Sequence, residues 1–257
     1  SCMFETIPFK NCIVMGHVQD KDGKKMSKHI GNTVDPWSVL NTQGADAVRW
    51  FFYNNAAPWM PNRFHAKAID ETTRKYMGTL WNTYAFFILY AEIDQFNPKE
   101  HPLDKAELTL MDRWILSRLN SLVREVDDDL NEYKIFEASR AMTDFVDDLS
   151  NWYVRRSRER FWGKGMAGDK EAAFATLYHV LETMSRLTAP FTPFMAENMY
   201  RNLVCSVDKD APISVHMTDF PVCDETYISA ELEGHMRDLL EVVVLGRSCR
   251  SESGLKV

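Results

Sequence analysis

The sequence lacks several things that would have decided its class at once. No apolar run approaches the ~20 residues that a membrane-spanning helix needs, so no membrane partner is expected. The five cysteines, Cys2, Cys12, Cys205, Cys223 and Cys249, are odd in number. They show neither C-x-x-C nor H-x-x-x-H spacing, which argues against a disulfide framework or a zinc site. Free thiols in a reducing, cytoplasmic setting are the expectation, with no metal ligated by side chains. A basic excess is also missing: 30 Lys+Arg stand against 37 Asp+Glu, a net charge of −7. That excludes a simple basic nucleic-acid protein but leaves room for a local basic patch. No internal repeat and no low-complexity stretch occurs. The start, Ser1 to Glu5, has neither a basic n-region nor an apolar core and no Met at position 1. Both ends read as cuts, so a piece of a longer protein, monomeric, is expected.

What is present is ordinary globular material. Of 257 residues, 45% are hydrophobic and 12% aromatic, which excludes disorder. The length suits one large or two modest domains.

The first segment alternates strand, turn and helix signals. Asn11 to Gln19 is β-prone and reads as a buried strand. Asp20-Lys21-Asp22-Gly23 is turn chemistry. Asp35-Pro36 predicts a helix start, with a carboxylate cap and Pro at the first position, and Gly44 ends that helix. Ala45 to Tyr53 begins another, with Asp46 in its first turn. Lys21, Lys24, Lys25 and Lys28 fall within eight residues. A Gly-containing loop carrying ammonium groups can close over a polyphosphate, with Lys as a mobile point charge. The plain alternative is a solvated turn, but the string Lys25-Met26-Ser27-Lys28 between a strand and a capped helix is less generic than that.

Beyond the Pro58–Asn62 break the pattern is helical. Apolar residues recur at 3- and 4-residue steps over about 64–93, 108–130, 133–162 and 170–187, then a short helix to about 204. Residues 212–221 read as an extended crossing, and a last helix covers 229–249. Short connections suit an antiparallel bundle. The fold expected is therefore mainly α: an antiparallel helical bundle preceded by a small α/β segment, with domains at 1–61, 62–228 and 229–257.

One rod of the bundle is polarised. Nine acids against three bases lie between Arg124 and Asp148, whereas Asn151 to Lys164 carries five bases and one acid. Trp152, Tyr153, Phe161 and Trp162 are interleaved with Arg155, Arg156, Arg158 and Arg160. Arginine and aromatic side chains together can hold phosphates and stack bases. The stripe Ile135, Ala138, Met142, Phe145, Leu149 extrapolates to Trp152 as core and to Arg156 as an internal salt-bridge partner. Arg155, Arg158 and Trp162 share another face, at i, i+3 and i+7, and are the stronger RNA-binding candidates.

Two strings carry a family resemblance. Gly23-Lys24-Lys25-Met26-Ser27-Lys28, followed by Gly31-Asn32 and Gly44-Ala45-Asp46-Ala47-Val48-Arg49, resembles the KMSKS region of class I aminoacyl-tRNA synthetases. Asn151 to Trp162 resembles the isoleucyl members of that family, and the helical remainder resembles their anticodon-binding domain. The resemblance covers essentially the whole chain. It implies a ligase joining isoleucine to tRNA(Ile) through an aminoacyl-adenylate, using ATP and Mg²⁺. By the same resemblance Lys25 and Lys28 are catalytic, and Lys25, Met26, Ser27 and Lys28 contact ATP. Arg155, Arg156, Arg158, Arg160 and Trp162 would then contact tRNA. The fifth motif position is His29 rather than Ser. No H-I-G-H signature is present (His29-Ile30-Gly31-Asn32 is an accidental partial match), nor an editing insert, nor the family's C-terminal metal element. The piece alone is therefore expected to be inactive. Two alternatives stay open: the same region of a valyl- or leucyl-type synthetase, and a free-standing helical RNA-binding or protein-interaction module.

Overall fold

A computed structural model describes residues 6–166 and 168–254. Cys2 and the outermost ends of the first and last expected domains lie outside the described residues. The small N-terminal part holds a parallel pair, β1 (Val18–Gln19) and β2 (Asn62–Arg63), with Val18 opposite Asn62 and Gln19 opposite Arg63. The strand expected over Asn11–Gln19 is thus only two residues long. It is also not buried: Ile13 is 42%, Val14 72% and Met15 72% exposed. A buried strand needs neighbours on both edges and a cover, and the described residues supply one two-residue partner and a single antiparallel bridge from Gln19 to Lys25. The chain instead runs beside residues 58–60. The Gly16 amide donates to Pro58 O at 2.7 Å, and a Cβ at Gly16 would lie 2.2 Å from Met60 O. Only glycine tolerates that approach.

Helix α1 (Pro36–Gln43) starts as its sequence predicts, with Asp35 capping through the Ser38 amide at 3.0 Å. Gly44, at φ 85°, turns the chain into α2 (Ala45–Asn54). Helix α3 (Ala66–Thr73) runs through a π-helical turn at Arg74–Gly78 into α4 (Thr79–Asp94). Helix α5 (Leu110–Asn131) opens on a capping box formed by Thr109 and Asp112. The polarised rod comprises α6 (Ile135–Asp147), a π-helical stretch Asp148–Val154, and α7 (Arg155–Trp162). Helices α8 (Asp169–Thr188), α9 (Pro193–Tyr200) and α10 (Ala230–Glu252) complete the set. The expected extended crossing at 212–221 instead contains a 3₁₀ turn, Val215–Met217, capped by Ser214.

Two cores result. The large one joins α4–α9 around Trp114, Phe145, Phe161 and Phe174, and Trp50 of α2 enters it by stacking on Tyr76 at 3.7 Å. The small one gathers Val39, Ala47, Phe51, Phe64 and Ile69, with Met26 packed against it. Helix α2 belongs to both.

Candidate nucleotide and RNA interfaces

The lysine loop is built around two polar side chains. Asp20 Oδ1 accepts from the amides of Asp22 and Lys24 at 3.0 and 2.8 Å, and its Oδ2 accepts from Asn32 Nδ2 at 2.7 Å. Asn32 Oδ1 accepts from the Ser27 amide at 2.8 Å, and its Nδ2 also reaches Lys25 O at 3.2 Å. The Asn32 bond and the Lys24 amide hold the Asp20 carboxyl below the usual carboxylate range. Gly23, at φ 79°, makes the tight turn, and the Arg63 guanidinium packs over it, 3.3 Å from where a Cβ would stand. Ser27 Oγ accepts from the His29 amide at 3.2 Å.

This arrangement sorts the expected loop residues. Lys25 and Lys28 are exposed and make no ion pair among the described residues. Met26 points into the small core, so its part in binding a nucleotide would run through the main chain. Ser27 is half-buried and fixed by Asn32. The loop can present two unpaired ammonium groups from a defined backbone. Among the described residues no three His, Cys, Asp or Glu side chains converge as a metal site. Asp20, the carboxylate built into the loop, is spent on amides and Asn32. These residues do not form a Mg²⁺ site.

The arginine rod is organised by a buried cluster. Asp112 is fully buried. Arg160 grips it with two bonds, Nη1 to Oδ1 at 2.8 Å and Nη2 to Oδ2 at 2.7 Å. Tyr153 OH donates to Oδ1 at 2.6 Å, and the Thr109 hydroxyl to Oδ2 at 2.7 Å. Burial opposes ionisation of Asp112, but the bonds from Arg160, Tyr153 and Thr109 outweigh it and hold the carboxyl below its usual range. Arg160 also donates to Asp169 O at 3.0 Å and pairs with its carboxylate. Next to it, Lys170 ties Gly163 O to Asp94, each at 2.7 Å.

Arg160, expected to contact RNA, is placed by these bonds as an internal anchor. The expectation for Arg156 also changes: it is exposed and lies over the Trp152 ring at 5.9 Å. The reason is the π-helical stretch. An i→i+5 turn inserts one residue into the 3.6-residue phase, so the stripe that ran 142, 145, 149 continues to 153, 157 and 161 rather than to 152 and 156. Trp152 is left half-buried, faced on its other approach by Arg247 of α10 at 5.5 Å. Arg155 and Arg158 are exposed as expected. Trp162 is 56% exposed, and its Nε1 donates to Tyr90 OH at 2.8 Å, which fixes the indole.

Sequence reasoning missed Asn32 as the loop's brace, Asp112 as the rod's anchor, Tyr90 and Arg247. The Thr109-x-x-Asp112 capping pattern was readable, but its partner 48 positions away was not. The lysine loop and the arginine rod stand on different cores, joined through α2.

Residues 112–257 match the model of the anticodon-binding domain of tRNA ligase, and residues 1–60 match that of class I tRNA synthetases (I, L, M and V). The chain belongs to the tRNA ligase anticodon-binding family. Within it, the chain is 52% identical over 256 residues to the isoleucine–tRNA ligase of Clostridium novyi, covering 100% of this chain and 25% of that protein. It is 44% identical to that of Bacteroides fragilis, over 99% of this chain and 22% of that protein. The chain thus spans about a quarter of the length of these relatives. Two solved tRNA synthetases share the fold. A leucyl enzyme of Agrobacterium radiobacter K84, in a ternary complex with tRNA, superposes with a TM-score of 0.62 at 21% identity, covering 84% of this chain and 24% of that one. A Mycobacterium tuberculosis methionyl enzyme does so at 0.58 and 19%, covering 80% and 43%.

Proposed function

We propose that the protein containing this chain is an isoleucine–tRNA ligase, and that this region supplies its ATP-phosphate loop and its grip on the anticodon arm of tRNA(Ile). The observation that carries the reading is the pairing of two features. Two unpaired lysines sit on a braced loop, and an exposed Arg155–Arg158–Trp162 face stands on a rigid rod in the same chain. In adenylate formation the isoleucine carboxylate attacks the α-phosphorus of ATP, and the bond to the pyrophosphate oxygen breaks. Negative charge grows on the departing pyrophosphate. Lys25 and Lys28 stabilise it as cations carried on a fixed backbone, their long side chains able to follow the departing phosphates. Mg²⁺ would arrive on the triphosphate itself. Arg155, Arg156 and Arg158 neutralise RNA phosphates, and Trp162 offers a stacking surface. The ligase would act as a cytoplasmic monomer.

Isoleucine-dependent pyrophosphate exchange tests this reading. The full-length protein is expected to show it, and the 257-residue chain alone is not. Exchange with another amino acid and not with isoleucine would overturn the substrate assignment. A robust isoleucine signal from the chain alone would overturn the division of labour.

A further inference from the structure

We propose that Asp46 and Arg49 are positioning residues that hold the Lys25–Lys28 loop in register with the RNA-binding bundle, so that charging of tRNA depends on them where adenylate formation does not. The inference rests on the functional reading above. Its basis is the two-faced construction of α2.

On one face Ala47 and Phe51 pack with Val39, Phe64 and Ile69, and Met26 of the lysine loop sits against them. On the other, one helical turn fastens the corner between α8 and α9. Asp46 Oδ2 accepts from the Met195 amide at 2.7 Å and its Oδ1 from the Phe194 amide at 3.4 Å. Those amides open α9, whose N-terminus carries partial positive charge. Arg49 Nε donates to Phe191 O at 3.1 Å and its Nη2 to Pro190 O at 2.8 Å. Those carbonyls belong to the turn between α8 and α9. Carboxylate and guanidinium thus bond the amides that open α9 and the carbonyls of the turn before it, across a single corner, and the Arg49 guanidinium rests on the Tyr53 ring at 5.5 Å.

Packing alone does not call for this chemistry. Asp46 is only 7% exposed, and apolar side chains there would bury area without desolvating a carboxylate. What the polar clamp adds is direction: four bonds to fixed backbone atoms allow one rotation and one translation of α2 on the bundle. Adenylate formation needs the lysine loop against the nucleotide and no RNA. Charging needs one tRNA to reach the bundle and the reacting centre together. A small misalignment between two tethered sites lowers their effective concentration steeply while leaving each site intact.

The test uses the full-length protein and the variant D46N/R49K, which keeps size and the cation but loses the carboxylate and the fork. Three quantities are measured: isoleucine-dependent pyrophosphate exchange, tRNA dissociation constant, and aminoacylation kcat and KM. The expected result is exchange and tRNA affinity within about twofold of wild type, with aminoacylation kcat lowered at least tenfold. An equal fall in exchange and charging would overturn the inference, because it would mean a general packing role. So would no change in any of them. If the double variant does not fold, R49K alone is judged by the same ratio. Absence of exchange in the wild-type protein would instead overturn the ligase reading, and the inference with it.

Discussion

The two cationic regions of the molecule are held in opposite ways. The lysine loop carries its charge on long side chains that are unpaired among the described residues, and only its backbone is fixed, by the half-buried Asp20 and Asn32. The arginine rod is pinned from within, where Arg160 spends its whole guanidinium on Asp112 and Asp169 so that Arg155, Arg158 and Trp162 project from a rigid surface. Lysine suits charge that must follow a moving phosphate, while arginine's fork suits fixed, planar partners. The contrast shows that a cation's value to function depends on what it is not bonded to: the most strongly held guanidinium of the rod is the one least able to meet RNA.

That contrast can be broken at either end. The largest effect is expected from replacing Lys25 and Lys28 by alanine in the full-length protein. Each loss should lower pyrophosphate exchange by roughly 10²-fold, the typical worth of one positioned charge-stabilising donor, with no change in thermal stability. Next comes Asp112→Asn, which removes the buried carboxylate from Arg160 and leaves it only the exposed Asp169 as counter-charge. It should destabilise the fold by about 3–5 kcal/mol in urea denaturation. The pH dependence has a defined sign. Because the folded carboxyl titrates below the ordinary value of 3.8, its stabilisation is fully present above that pH and is lost as pH falls through the lower folded value. The Asn variant lacks this contribution to the acid slope.

Smaller effects sharpen the RNA side. Trp162→Ala should weaken tRNA binding by about 1–3 kcal/mol, the usual range for one base–aromatic stack. Tyr90→Phe, which removes only the 2.8 Å bond that orients the indole, should cost about 0.5–1.5 kcal/mol of binding. An equal loss for the two would mean that orientation, not the ring's surface, is what matters.

Much of the architecture was legible because it rests on local chemistry. The Asp35-Pro36 start, the Gly44 stop and the helical stripes all follow from caps, φ freedom and 3.6-residue spacing, and they reappear within a few residues in the structure. Two failures have physical causes. Residues 11–17 have strand composition, but a strand is completed by its neighbours, and here the chain yields only a two-residue pair. The phase of the arginine rod was misjudged after Leu149 because a π-helical insertion leaves no periodic trace in advance. That one-residue slip exchanged the roles of Arg156 and Arg160. Arg155, Arg158 and Trp162 lie exposed on the face that the slip left outward. Asn32 and Asp112 act across 12 and 48 residues, distances at which spacing carries no signal.

The most direct test of the division between gripping and anchoring arginines is the salt dependence of tRNA binding by the full-length protein. Arg155→Ala with Arg158→Ala should reduce the slope of log K against log[salt] by about 1.4–1.8, as expected for two phosphate contacts, at unchanged thermal stability. A slope equal to that of the wild type would contradict the account, since the exposed face of the rod would then not be meeting phosphates.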